Sequence, residues 1–218
     1  MLEIDLMARY PRGKGRPGER PMITEEDKRI SKQFGWDYFD GDRRHGYGGY
    51  QYHPRFWTET VKYIRDYYQL PTHASILDIG CAKGFMLYDF KQLMPGAQCA
   101  GIDISEYAIE NALDAVRPFV RVANAKSLPY ADKSFDLVLA INTIHNLPFD
   151  ECKQSLREIQ RVSRRNAFVM VDAYRTEQQR EAMLRWVLTA ETMLHVDDWL
   201  ELFAGAGYTG DYYWWIVE

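Results

Sequence analysis

The chain has 218 residues and a mass of 25.6 kDa, room for one domain with a full hydrophobic core. Its 46% hydrophobic and 27% charged residues are those of an ordinary globular protein and exclude disorder, collagen-like repeats and coiled coil for most of its length. A formal net charge of -4 argues against a general nucleic-acid binder, and the anomaly is aromatic: 10 Phe, 6 Trp and 15 Tyr, 14% of the chain.

In chain order, the first twenty residues, MLEIDLMARYPRGKGRPGER, hold no apolar stretch of the kind a secretory signal needs. Arg9, Arg12, Lys14, Arg16 and Arg20 make residues 9–20 a basic arm, broken by Pro and Gly and without regular structure of its own. Residues 24–34 read as a short helix capped by Thr24, with Glu25, Glu26 and Asp27 in its first turn. Residues 34–57 are dense in Gly and rings with no period of 2 or 3.6, an ordered loop packed by its own aromatics.

From Pro54 the pattern becomes regular. Trp57, Val61, Ile64 and Tyr68 recur at helical spacing until Pro71. Apolar runs at 75–80, 97–104, 119–123, 135–141 and 167–173 then alternate with helices over 85–94, 105–116 and 150–162. Two more helices, 176–195 and 197–206, precede a closing strand in 208–218. Runs buried on both faces and separated by helices predict an α/β fold: a doubly wound, mostly parallel, Rossmann-like sheet of six or seven strands with helices on both faces. The expected organisation is one structural unit over 54–218, preceded by an arm and aromatic cap over 1–53. Three scattered cysteines suit a reducing cytoplasm, no spacing suggests a metal site, and no apolar run spans a membrane. Nothing indicates a homodimer.

The chemistry begins where the first run enters the turn Asp78-Ile79-Gly80-Cys81-Ala82-Lys83-Gly84 and a helix follows. Small residues at 80, 82 and 84 admit a ligand to the backbone, and a helix start offers free N–H groups. Nineteen residues past Gly84 the second run ends in Asp103, whose carboxylate suits a ribose 2′,3′-diol. A dinucleotide turn wants G-x-G-x-x-G, which the Gly80-x-x-x-Gly84 spacing does not supply. The turn resembles the D-x-G-x-G-x-G motif of class I S-adenosylmethionine (SAM)-dependent methyltransferases, with Ala82 for the middle glycine. The segments N-A-K-S-L-P-Y (124–130), D-K-S-F-D-L-V (132–138) and I-N-T-I-H-N-L (141–147) are similar to the further motifs of small methyltransferases of the methyltransferase-11 type. Asn124 stands where that family usually has Asp. The resemblance covers about residues 54–175.

The resemblance implies S-adenosyl-L-methionine as cofactor. Gly80 and Gly84 would pass under its methionine moiety, in one cofactor-binding turn with Cys81 and Ala82. Asp78 would receive the amine and Asp103 the ribose, while Asn124 and the Ala125 amide read the adenine. Ile104 is either one face of the adenine slot or an ordinary core residue. Asn142 and Thr143 would lie near the transferred methyl.

Methyl transfer asks the protein to align a nucleophile, exclude water and tolerate sulfonium charge, for which aromatic faces serve. His145 is the candidate base, with a loop or cofactor contact as its alternative role. Asp172, Tyr174 and Arg175 leave the fifth run on the same rim and are candidates to orient an acceptor. In the glycine-rich loop, Tyr47, Tyr50 and Tyr52 form an expected lid, Tyr50 close to the reaction, with Arg43 and Arg44 available to a phosphate or carboxylate. The reading is methyl transfer to a small-molecule acceptor, an anionic one such as a sugar nucleotide or phosphorylated metabolite. The alternatives are an RNA methyltransferase using the basic arm, and a SAM-binding protein without turnover.

Overall fold

All five apolar runs become strands in the computed structural model, which describes residues 1–11 and 22–217. They are β1 (Ser75–Ile79), β2 (Gln98–Asp103), β3 (Val120–Val122), β4 (Phe135–Ile141) and β5 (Ser163–Tyr174), joined by β6 (Leu194–His195) and β7 (Asp211–Trp215). The sheet order is β3-β2-β1-β4-β5-β6, with β7 also on β5, and every strand pairing is parallel. The chain winds outward from β1 through β2 and β3, then returns to lay β4 against the other edge of β1. That reversal opens a crevice at the carboxyl ends of β1 and β4, the topological switch point where ligands of such sheets bind.

Helices cover both faces. On one side α3 (Pro54–Tyr67) and α4 (Phe85–Leu93) bury Val61, Ile64 and Phe90 against Ile76, Leu137, Leu139 and Phe168. On the other, α6 (Phe149–Val162) and α8 (Val196–Ala206) bury Leu156, Ile159, Trp199 and Phe203 against Leu77, Val138, Val169 and Val171. Period-2 alternation splits the closing strand: Tyr212 and Trp214 enter the α6/α8 core, and Trp214 stacks on Phe203 at 5.8 Å, while Tyr213 and Trp215 pack on the α3/α4 side. The first residues join the sheet edge. Ile4 N–H donates to Tyr212 O and Tyr212 N–H to Leu2 O, and Leu6 is fully buried beside α3 and α4.

Two predicted helices are shorter than their periodicity suggests. The one over 105–116 stops as α5 (Glu106–Glu110), because Leu113 N–H donates to Lys83 O and Val116 packs against Gly84. The one over 176–195 stops as α7 (Glu177–Trp186). There Glu191 N–H and Thr192 N–H both donate to His145 O, drawing the chain out of the helix. In the N-terminal region α1 (Glu25–Ser31) starts on a capping box between Thr24 and Asp27, and a single turn, α2 (Trp36–Phe39), forms within the aromatic loop. Of the arm's five basic residues only Arg9 lies among the described residues; Arg12, Lys14, Arg16 and Arg20 fall outside them.

Candidate active site

At the switch point the turn after β1 holds three residues at positive φ: Gly80 (80°), Ala82 (48°) and Gly84 (77°). The bare face of Gly80 turns to Thr143, since a Cβ there would lie 2.1 Å from Thr143 Oγ1. That hydroxyl donates to both Ile79 O and Ile141 O at 3.0 Å, tying together the carboxyl ends of β1 and β4. Gly84 turns to Val116 and opens α4, and it lines none of the three cavities over the crevice. Both glycines therefore answer packing needs, and the ligand-facing surface is the backbone they release.

Asp103 closes this turn from β2. Its Oδ2 accepts Ala82 N–H at 2.8 Å and its Oδ1 accepts Ser105 N–H at 2.9 Å; Ile104 N–H also bonds the carboxylate, and three donors leave it capacity for a further one. Burial pushes the carboxyl up while the backbone donors pull it down. Asp78 is buried without an ion-pair partner among the described residues. Desolvation first, then the nearby Asp103 charge, push its pKa up to about 8.

Three cavities meet over this crevice. The first, about 160 Å³, is lined by Gly80, Ala82, Asp103, Ile104, Asn124 and Ala125, with Phe34 and Tyr38 of the cap above them. Ile104 is 51% exposed there, so it is a wall and not a core residue. Asn124 Oδ1 accepts Lys126 N–H at 3.0 Å, which fixes its turn. The second, about 610 Å³, begins at Asp78 and Cys81 and runs out past Tyr50 to Tyr10 and Arg55. The third, about 220 Å³, holds His145, Asp172, Trp186, Thr189 and Trp215. Tyr47 and Asn142 line all three, and Arg43 lines the second and third. Asn142 sits at φ 52°, a conformation that Asn tolerates better than most side chains, with its N–H on Met170 O.

His145 Nδ1 accepts Asp172 N–H at 2.8 Å, so the neutral ring carries its proton on Nε2, 3.8 Å from Asp172 Oδ2. Burial pushes the imidazole pKa down, opposed by the Asp172 charge, and burial pushes the Asp172 carboxyl up. The ring's one lone pair is thus occupied, and the free acceptor of the pair is the carboxylate.

A cap of rings lies over the turn. Tyr50 stacks on Phe85 at 4.8 Å, Tyr47 stacks on Phe39 at 5.9 Å, and the Tyr47 and Tyr50 rings are 4.3 Å apart. Lys83, from the glycine turn itself, latches it: Nζ donates to Asp40 Oδ2 at 2.5 Å and to Tyr50 O at 3.0 Å. Tyr107 O–H donates to the same Asp40 oxygen, and Tyr50 N–H to the other.

Three expected residues point elsewhere. Tyr52 packs on Phe85 and Tyr88 and donates to Asp89. Arg175 pairs with Glu3 at 2.7 Å on the far edge, and Arg44, in an Asx turn with Asp42, lines none of the three cavities. Long-range packing draws these side chains away, which spacing does not register. Conversely, Lys83, Asp40, Tyr38, Asn146, Thr189 and Trp215 reach the site unforeseen. Only the aromatic density around Tyr38 and Trp215 signalled any of them.

An open parallel sheet, a positive-φ turn at its switch point and a buried carboxylate at the end of β2 together form the ligand crevice of a doubly wound α/β fold. Residues 77–171 match the family model described as a methyltransferase domain, a match that supports a class I SAM-dependent methyltransferase. It is 29% identical over 146 residues to a protein named tRNA (carboxymethyluridine(34)-5-O)-methyltransferase from Arabidopsis thaliana, covering 66% of this chain and 34% of that protein. It is 30% identical over 132 residues to a malonyl-[acyl-carrier protein] O-methyltransferase from Legionella pneumophila, covering 58% and 45%. The chain thus spans less than half the length of these two curated relatives. Among solved structures, YcgJ from Bacillus subtilis superposes with a TM-score of 0.53 at 22% identity, covering 67% of this chain and 66% of the other, a likeness of fold.

The family's cofactor is S-adenosyl-L-methionine, and the residues present fit it. Asp103 keeps acceptor capacity for a ribose hydroxyl beside its three backbone donors, and Asn146 Oδ1 is buried beside the first cavity with no partner among the described residues. Asp78 is a buried acid lacking a cation. No helix among the described residues is long and apolar enough to cross a membrane.

Proposed function

We propose that this chain transfers a methyl group from S-adenosyl-L-methionine to a small-molecule acceptor held under the aromatic cap. The observation that carries this reading is the meeting of three cavities at Tyr47 and Asn142. Nucleoside-sized space lies on one side, a buried acid on another, and a His–Asp pair on the third. When bound, the cofactor supplies a methyl carbon that bonds to the acceptor as its bond to sulfur breaks, the electron pair remaining on a sulfur that becomes neutral.

In this reading Asp103 accepts the ribose hydroxyls, Asn124 and Ala125 face the adenine beside Ile104, and Asp78 accepts the amine. Tyr38, Tyr47 and Tyr50 turn π-faces to sulfonium charge, each worth about 0.5–2 kcal/mol, and keep water out. Asn142 orients the acceptor. The proton leaving a hydroxyl or ammonium acceptor goes to the His145–Asp172 pair. Asp172 takes it, and the His145 Nε2–H steadies the carboxylate beforehand. This assigns His145 a positioning role in place of the base first expected of it.

The test is calorimetric titration with S-adenosyl-L-methionine and S-adenosyl-L-homocysteine, followed by incubation with methyl-labelled cofactor and a cell extract split into small-molecule and RNA fractions. Binding of both nucleosides with label in the small-molecule fraction is the expected result. Binding without any label favours a protein that has lost turnover. The Arabidopsis relative's name and the basic arm favour a second reading, methylation of RNA. It prevails if label appears only in RNA and is lost when Arg12, Lys14 and Arg16 become Ala.

A further inference from the structure

The largest of the three cavities extends well beyond the buried acid at its inner end. From Asp78 it runs outward between the start of α3, the cap loop and the N-terminal segment, and its roughly 610 Å³ lies in the range of pockets that hold whole small ligands. Its walls differ along its length. The middle is apolar, with Trp57, Phe85, Met86, Met170 and Trp215. The outer end carries Arg55 and His53, and Asp78 is the one carboxyl among the described residues lining this space.

The two basic groups at the mouth are held ready and uncompensated. The Arg55 guanidinium lies 4.6 Å from the centre of the Phe56 ring and forms no ion pair among the described contacts. A stacked guanidinium keeps its edge N–H groups for a planar anion. His53 Nδ1 accepts Arg55 N–H at 3.2 Å, which leaves Nε2–H as the ring's donor. In a chain of net charge -4, an exposed arginine beside a histidine donor with no carboxylate against it marks a place where an anion belongs.

We propose that the acceptor is an amphipathic anion: an apolar body along the Trp57–Met170–Trp215 wall, with a terminal carboxylate or phosphate bound by Arg55 and His53. The anion is a handle, recognised at the end of the molecule away from the atom that is methylated near Asn142. This rests on the methyl-transfer reading above for the location of the reacting end. The anion preference of the mouth is measurable without it.

The test uses the intact chain and four probes of one length: octanoate, octyl phosphate, octanol and octylammonium. Their binding is followed by intrinsic tryptophan fluorescence, to which Trp57 and Trp215 of this cavity contribute, with and without saturating S-adenosyl-L-homocysteine. At least one anion is expected to bind about tenfold or more tightly than octanol, with octylammonium weakest. The tighter of the two anions tells carboxylate from phosphate. Arg55→Gln, an exposed change, should abolish the anion's advantage and leave the S-adenosyl-L-homocysteine affinity within twofold. Equal affinity for octanol and both anions, or an anion preference that survives Arg55→Gln, overturns the proposal. Failure of S-adenosyl-L-homocysteine to bind would instead sink the methyl-transfer reading, while the probe titrations in its absence still decide the handle.

Discussion

Asp78 shows how one buried group couples function to pH. Its carboxyl, with a pKa of about 8, holds a proton at neutrality in the ligand-free protein, and pairing with a cofactor amine requires that proton to leave. S-adenosyl-L-homocysteine should therefore bind more tightly as pH rises from 6 to 8 and level off above, by up to tenfold per unit; calorimetry across that range reads it. The sign for stability is the reverse. An unfolded Asp titrates near 3.9, so between about pH 4 and 8 the native state holds a proton that the unfolded chain lacks, and stability falls as pH rises. Asp78→Asn should melt higher than the parent at pH 8, the gap shrinking toward pH 4, while nucleoside binding is lost. Gly80 makes a different demand. Gly80→Ala puts a Cβ into Thr143 at a φ of 80°, and a loss of about 2–4 kcal/mol in urea denaturation is expected.

At the scale of elements, a buried lysine is one of the ties between the cap and the Rossmann-like core, beside the Tyr107–Asp40 hydrogen bond and the Tyr50–Phe85 stack. Lys83 is buried, and its ammonium reaches an aspartate and a carbonyl of the loop that carries Tyr47 and Tyr50. If the latch holds those rings over the crevice, Lys83→Met and Asp40→Asn should each weaken S-adenosyl-L-homocysteine binding about tenfold. The double variant should be little worse than either single one, a coupling of about 1–2 kcal/mol in a double-mutant cycle. Strictly additive losses would show that the cap is held by its aromatic contacts alone. The strand–turn–helix unit of β1 and α4 was legible because its signals are local: a continuous buried run, glycines at positive φ and a helix start. The latch was not, because Asp40 and Lys83 lie 43 residues apart and nothing in either neighbourhood announces the other.

At the scale of the molecule, the N-terminal residues belong to the core. Leu6 is fully buried in the α3/α4 cluster and its segment hydrogen-bonds along β7. Leu6→Ala should cost about 2–5 kcal/mol in equilibrium denaturation, against about 0.5 kcal/mol or less for Leu184→Ala on the exposed side of α7. The aromatic excess divides by location in the same way. Phe203, Tyr208, Tyr212 and Trp214 fill the core, while Tyr38, Tyr47, Tyr50 and Trp215 wall the crevice.

The amino-acid order alone determined the α/β class, the order of β1 to β5 with the helices between them, the glycine turn and the acid at the end of β2, though not β6, which lies inside a segment its periodicity reads as helix. Each of these follows from local periodicity, backbone freedom or short spacing along one strand. The tertiary structure alone decided which rings face the crevice, where the proton on His145 resides, that Lys83 bonds Asp40 and Tyr50 O of the cap, and that Arg55 and His53 line the largest of the three cavities. Those facts depend on which residues distant in sequence are brought together by packing two layers of helices on a twisted sheet, and hydrophobic pattern specifies the layers without specifying the side chains that meet between them.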